Sequence, residues 1–192
     1  MVAVNSTMLE LGTAAPHFDL PDPSGGTCSL ADASGGRPLL VAFVCNHCPY
    51  VRHLGPTFGR VAQQLDGLGV SVVAINSNDV EHYPEDGPEE MVLMAKRWGW
   101  DFPYLFDEDQ SVAKAYRAAC TPDLFLFDAD LRLAYRGQFD GSRPRNDEPV
   151  DGADVLAAGE AIAAGRPAPE PQVPSIGCNI KWRAGNEPDW FS

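Results

Sequence analysis

The sequence predicts one α/β domain in three layers, helices on both faces of a mixed central sheet, with an N-terminal extension and a C-terminal arm. Two apolar runs of strand length, Pro38 to Val44 and Val70 to Ile75, read as strands covered on both faces, and a helical pattern lies between them. Farther along, Asp123 to Phe127 and Leu131 to Tyr135 flank Asp128-Ala129-Asp130 and read as an antiparallel hairpin. Strand–helix units followed by a hairpin require a mixed sheet. With 192 residues, 44% of them apolar, the chain is long enough to bury one full core.

In chain order, turn signals at 21–26 and 34–36 cut the start of the sequence into short extended pieces. The first is centred on His17-Phe18-Asp19-Leu20 and reads as a strand or hairpin. After the first buried strand, Val51, Leu54, Phe58, Val61, Ala62, Leu65 and Leu68 recur at helical spacing until Gly67 and Gly69 end the pattern. Pro88 opens another helix, which runs to about Trp98 with Glu89 and Glu90 near its positive end. Phe102 to Phe106 is extended, and Gln110 to Arg117 is helical with Ala113 and Tyr116 on one face. That stretch delivers the chain to Cys120-Thr121-Pro122. A last helix spans Ala153 to Ala164, closed by Gly165, and the four prolines of 167–174 make an extended arm. The expected division is residues 1–166 for the domain, N-terminal hairpin included, and 167–192 for an arm packed on the domain or on a partner.

Composition narrows the function. A formal charge of −13 argues against nucleic acid and against an anionic membrane surface, both of which need a basic face. The N-terminal residues lack a basic region followed by an apolar stretch, and no segment approaches the length of a membrane span, so a soluble, unexported chain is expected. Five cysteines at irregular spacing do not read as a secreted disulfide framework; they fit a reducing compartment, with the cytoplasm expected.

Cys45-Asn46-His47-Cys48 begins where the first buried strand ends and the helix starts. Disulfide exchange needs two thiols that close a small ring, one attacking as a thiolate and one resolving the mixed disulfide. Cys45 at a helix N-terminus would have its thiolate stabilised by unpaired N–H groups and the helix dipole, and Cys48 is expected to be the more buried. His47, between the thiols, is positioned to stabilise the Cys45 thiolate further and to make the pair more oxidising. Pro49 suits the first turn of the helix. A CxxC is also half a zinc site, but no second ligand pair stands at close spacing.

These features, strand-CxxC-helix at residues 38 to 68 and Thr121-Pro122 before a hairpin, resemble the thioredoxin superfamily over roughly residues 12 to 166. The opening Ala15-Pro16-His17-Phe18-Asp19-Leu20-Pro21-Asp22 is similar to that of the peroxiredoxin and thiol-specific antioxidant branch and its membrane-anchored reductase cousins. Cys45-Asn46-His47-Cys48-Pro49-Tyr50-Val51 and the tail from Pro174 to Trp182 resemble a peroxiredoxin-like subgroup of thioredoxin-fold proteins. The resemblance implies a thioredoxin-like fold, Cys45 as attacking thiol, Cys48 as resolving thiol, and Pro122 as a cis-proline lining the substrate groove beside Thr121. A cis X-Pro bond there leaves the backbone of the preceding residue open to a peptide strand. Val44 stands where thioredoxins carry tryptophan, and Ala42 where peroxidatic peroxiredoxins place threonine.

Among the other cysteines, Cys120 adjoins Pro122 and lies near the dithiol, where it reads as a buried small apolar residue with exchange or metal capture as its alternatives. Cys178, in an irregular tail, reads as a candidate resolving thiol. Cys28, in a surface turn or strand, has no visible partner. Lys181, Trp182, Trp190 and Phe191 give the tail enough aromatic content to pack back on the domain or a partner. His17, His53 and His82 are scattered, and a cysteine pair with a distant histidine would suit Cu(I). The expected activity is thiol–disulfide exchange without an organic cofactor, on a protein or small-molecule disulfide, with a dithiol reductant and a homodimer as partners. The alternatives are a thiol peroxidase with Cys45 peroxidatic, and a copper-binding or non-catalytic interaction module.

Overall fold

The computed structural model describes residues 3–191. The chain opens with β1 (Ala3–Asn5), then the hairpin of β2 (Asp19–Pro21) and β3 (Thr27–Ser29), and the short helix α1 (Leu30–Ser34). The first strand–helix unit is β4 (Leu39–Phe43) and α2 (Pro49–Gly67). It is followed by β5 (Ser71–Asn76), α3 (Pro88–Trp98), β6 (Tyr104–Phe106) and the one-turn helix α4 (Ser111–Ala115). Then come β7 (Cys120–Thr121), β8 (Asp123–Phe127), β9 (Leu133–Gly137), α5 (Ala153–Ala163) and β10 (Ile176–Asn179).

The central sheet has the order β6-β5-β4-β8-β9. Its first three strands are parallel, β8 runs antiparallel to them between β4 and β9, and β9 is antiparallel to β8, so the mixed sheet expected from the sequence is present. The strand period of two divides the core. Leu40 and Ala42 of β4 face a cluster with Phe58 and Leu65 of α2, Met91 of α3 and Val155 of α5. Leu39, Val41 and Phe43 face the opposite cluster, with Phe18 and Leu20 of the hairpin, Leu30 of α1, Val112 of α4 and the fully buried Tyr116.

Two elements depart from the sequence expectation. Residues read as extended hold α1, because Ser29 Oγ accepts from Asp32 N at 3.1 Å while the Asp32 carboxylate accepts from Ser29 N at 3.1 Å, and Gly35 closes the helix with φ +56°. The irregular tail holds β10, a strand that exists because two edges receive it. It pairs antiparallel with β1 on one side and β7 on the other, in a separate three-stranded sheet. Beyond β10 the tail packs on its own domain. The Arg117 guanidinium lies 4.4 Å from the Trp190 ring centre, and Asn186 bonds to Lys114, Asp109 and Gln110. Among the described residues no helix is long and apolar enough to cross a membrane.

Burial raises the Asp107 carboxyl above its ordinary value. Asp107 accepts from Ser77 Oγ at 2.7 Å and from the N–H groups of Val112 and Ala113, so it holds the start of α4 against the end of β5. Asp107→Ala is expected to destabilise the chain by about 2 kcal/mol, the scale for stranding buried donors, as read from the urea midpoint.

Candidate active site

Cys45 lies just past the end of β4, and Cys48 is the N-cap of α2, with Pro49 in the first helical position. The Cys48 carbonyl accepts the first intrahelical bond, from Arg52 N at 2.9 Å. The helix therefore starts at the second cysteine, not the first as the sequence suggests, and Cys48 takes the end of the dipole. Both thiols are fully buried, so the expected contrast between an exposed Cys45 and a buried Cys48 is absent.

The peptide bond Thr121–Pro122 is cis, as the resemblance implied. Thr121 contacts both sulfurs: its Oγ1 lies 3.4 Å from Cys45 Sγ, and its carbonyl oxygen 3.1 Å from Cys48 Sγ. The acidity order is the reverse of the sequence expectation. Burial first, then the hydrogen bond to Cys48, the charge of Asp86 and the charge of Cys48, push the Cys45 thiol well above its ordinary range. Cys48 is held far below that range because the thiols of Cys178 and Cys45 both donate to it. The two cysteines of the motif thus share a hydrogen bond, with the charge resting on Cys48.

Sequence reading missed the group that organises the loop between them. Asp86, fully buried, accepts from Asn46 N at 2.8 Å and His47 N at 3.0 Å through one carboxylate oxygen. Its other oxygen meets His47 Nδ1 at 2.5 Å and accepts from Asn78 Nδ2 at 2.8 Å. Asn76 Nδ2 donates to the Asp86 carbonyl, and Tyr104 Oη donates to Asn46 Oδ1 at 3.1 Å. His47 stacks on Tyr83, with ring centres 5.1 Å apart, and its Nδ1 stands 3.9 Å from Cys45 Sγ. Asp86 lies almost forty positions from the CxxC in a loop of several acids, so no local pattern marks it; only the turn Pro84–Asp86 brings it under the motif.

The remaining cysteines are all buried thiols. Cys120 sits on β7 with its Sγ 3.4 Å from the Pro122 carbonyl, and burial, then Asp123 and the charge on Cys48, push its thiol up, which fits the packing role. Cys28 lies on β3 in the core cluster beneath the hairpin. Cys178 lies on β10, almost fully buried, which replaces the flexible tail position expected from sequence. The scattered histidines stay apart from the dithiol: His53 bonds Ser142 at 2.6 Å and His82 bonds Asp79 at 2.5 Å. Among the described residues, the group able to hold a metal ion is Cys45, His47 and Asp86, whose ligand atoms lie within 4.8 Å of one another.

The description of the AhpC/TSA family matches residues 11–136, more than half of the chain. The chain belongs to this family. A protein of Mycobacterium tuberculosis strain H37Rv, provisionally named a peroxiredoxin, is 30% identical over 113 residues, covering 59% of this chain and 67% of that protein. The thiol-disulfide oxidoreductase ResA of Geobacillus kaustophilus is 29% identical over 128 residues, covering 64% of this chain and 66% of ResA. The chain thus spans about two thirds of each of these relatives. A crystal structure of an uncharacterized conserved protein from Geobacillus kaustophilus is 52% identical with a TM-score of 0.92, covering 95% of this chain and 97% of that one. The fold is thioredoxin-like, as in more distant solved structures, and this AhpC/TSA family member is an oxidoreductase.

Proposed function

We propose that this AhpC/TSA family protein is a thiol–disulfide oxidoreductase working through the Cys45–Cys48 dithiol, with no organic cofactor. The observation that carries this reading is that both sulfurs of the CxxC rest on Thr121, the residue before the cis-proline, with Cys45 Sγ 3.4 Å from its Oγ1 and Cys48 Sγ 3.1 Å from its carbonyl oxygen. One proton and one negative charge are divided between the two sulfurs. As Cys45 attacks a substrate disulfide, its proton passes to the Cys48 sulfur, and one half of the substrate leaves as a thiolate. That thiolate takes the proton back from Cys48, which attacks the Cys45 sulfur and releases the other half as a thiolate. Two electrons have then moved from the dithiol to the substrate, and a dithiol reductant restores the enzyme.

Cys45→Ser and Cys48→Ser are each expected to lower turnover of oxidised glutathione by roughly 1000-fold or more, the scale on which loss of a covalent nucleophile acts. Wild-type turnover in Cys45→Ser would overturn the reading. His47 Nδ1 stands against both the Asp86 carboxylate, whose charge raises the Cys45 thiol, and Cys45 Sγ, at 2.5 and 3.9 Å. Removing the ring should disfavour the thiolate form and stabilise the disulfide relative to the dithiol. His47→Ala is therefore expected to lower the reduction potential by about 30 mV or more, measured by equilibration with glutathione; an unchanged potential would remove His47 from the mechanism.

The peroxiredoxin relative supports a second reading, in which hydroperoxide oxidises Cys45 to a sulfenic acid that Cys48 or Cys178 resolves. Rapid peroxide consumption by the reduced protein together with slow disulfide turnover would select it and give the protein an antioxidant role. Tight Cu(I) binding lost in His47→Ala would instead select metal handling at Cys45, His47 and Asp86. The proposal places the protein in the cytoplasm, on its cysteine usage, acting on protein or small-molecule disulfides. It includes a homodimer, for which the exposed Val173 and Phe191 offer apolar contacts and sedimentation supplies the test.

A further inference from the structure

The strand edge beside the dithiol is occupied by the chain itself. β10 pairs antiparallel with β7 in the register Cys178 to Thr121 and Asn179 to Cys120. Thr121 is the residue that touches both Cys45 and Cys48, and its edge is where an extended peptide would add as a strand. The fit of β10 there is close: a Cβ built on Gly177 would stand 2.0 Å from the Thr121 carbonyl oxygen, so only glycine permits this approach. The register brings Cys178 beside the dithiol, and its thiol donates a hydrogen bond to Cys48. On its other side Cys178 borders a cavity of about 490 Å³ shared with Ala3, Pro49, Tyr50, Arg143 and Arg145.

From this arrangement we infer that Cys178 is a third redox thiol, which takes over the disulfide from Cys48 and presents it to a small thiol reductant entering the cavity. This rests on the proposed exchange reaction, which supplies the Cys45–Cys48 disulfide. In the transfer, the Cys178 sulfur attacks Cys48 Sγ, the Cys45–Cys48 bond breaks, and the proton of Cys178 goes to the departing Cys45 sulfur. One disulfide replaces another, with no electrons gained or lost. An external thiolate then attacks the Cys178 sulfur from the cavity, which frees Cys48. A second thiol displaces the first from Cys178, leaving three reduced cysteines and one oxidised reductant disulfide. The arginines at the cavity favour a reductant that carries carboxylates, in a chain whose overall charge of −13 would otherwise repel it.

The test is peptide mapping of disulfides, without reduction, after the reduced protein has reacted with one equivalent of oxidised glutathione and been quenched in acid. Wild type is expected to show a Cys48–Cys178 link beside the Cys45–Cys48 link, Cys178→Ser only the latter, and Cys45→Ser a Cys48–Cys178 link. Re-reduction of the oxidised protein by reduced glutathione is expected to be at least tenfold slower in Cys178→Ser. A purely structural role for Cys178 would not create the new link. Absence of the Cys48–Cys178 link from both wild type and Cys45→Ser would overturn the inference. If the Cys45–Cys48 link formed in wild type and in Cys178→Ser, the exchange reading would stand; if that link were missing from both, the exchange reading would fall with it.

Discussion

Asp86→Ala is expected to destabilise the protein by about 4 kcal/mol and to abolish disulfide turnover in whatever fraction remains folded. The carboxylate accepts from two backbone N–H groups of the CxxC loop and from Asn78 Nδ2, and it meets His47 Nδ1, all in a fully buried setting. Each stranded buried donor costs about 1–3 kcal/mol, and the losses overlap because the freed loop relaxes as one unit. Urea denaturation measures the stability change, and the exchange assay on the folded protein measures the other. Asp86→Asn keeps one acceptor oxygen for the backbone pair, so it should recover much of the stability while altering the His47 contact. A potential unchanged in Asp86→Asn would reduce Asp86 to a structural staple; a shifted potential with retained stability would assign it to tuning the thiols. Full stability in Asp86→Ala would mean that the hydrogen bonds at Asn46 and His47 are replaceable by water, contrary to their burial.

The second large effect is on pH dependence. Asp123, fully buried directly after Pro122, accepts from Ala119 N at 3.0 Å, and among the described residues its Oδ1 meets no donor within hydrogen-bond distance. Burial pushes its carboxyl up from 3.8 to about 7. Because the folded-state value is raised above the unfolded one, the protonated carboxyl favours folding. That contribution is present in full below about pH 4 and is lost as the pH rises through about 7. Over this window of roughly three pH units the loss amounts to about 4 kcal/mol. Asp123→Asn, which resembles the protonated acid in shape and hydrogen bonding, should remove this dependence. The stability of wild type relative to Asp123→Asn is therefore expected to fall steadily between pH 4 and pH 7 and to level off above. Thermal or urea unfolding of the two proteins at several pH values gives the difference directly, with other titrating groups cancelling. A constant difference across that range would show that Asp123 ionises in the folded protein at its ordinary value.

The contrast between these two acids shows what kind of information the sequence carries. Unbroken apolar runs, the helical apolar spacing of α2 and local start and stop signals predicted β4, α2, β5, α3, the β8–β9 hairpin and α5 to within a few residues, because burial and chain termination leave local marks that survive in any tertiary setting. Cys45, His47, Cys48, Thr121 and Pro122 were equally legible, since a CxxC between a buried strand and a helix and a Thr-Pro before a hairpin are local patterns with a known chemistry. The third dimension decided the rest. Asp86 became part of the site only through the turn before α3, which sets its carboxylate beneath the backbone of Asn46 and His47. β10 became a strand, and Cys178 a neighbour of Cys48, only because β1 and the Thr121 edge were both open to receive it. The acidity order of the two thiols was set by burial and by which sulfur receives the hydrogen bonds, quantities that depend on packing and not on spacing along the chain. By itself, then, the sequence determined the layered fold and the dithiol, because both are written in local patterns of apolar runs, turn residues and cysteine spacing. The partners that tune the dithiol were decided by tertiary structure, because hydrogen bonds and desolvation depend on groups that distant parts of the chain bring together.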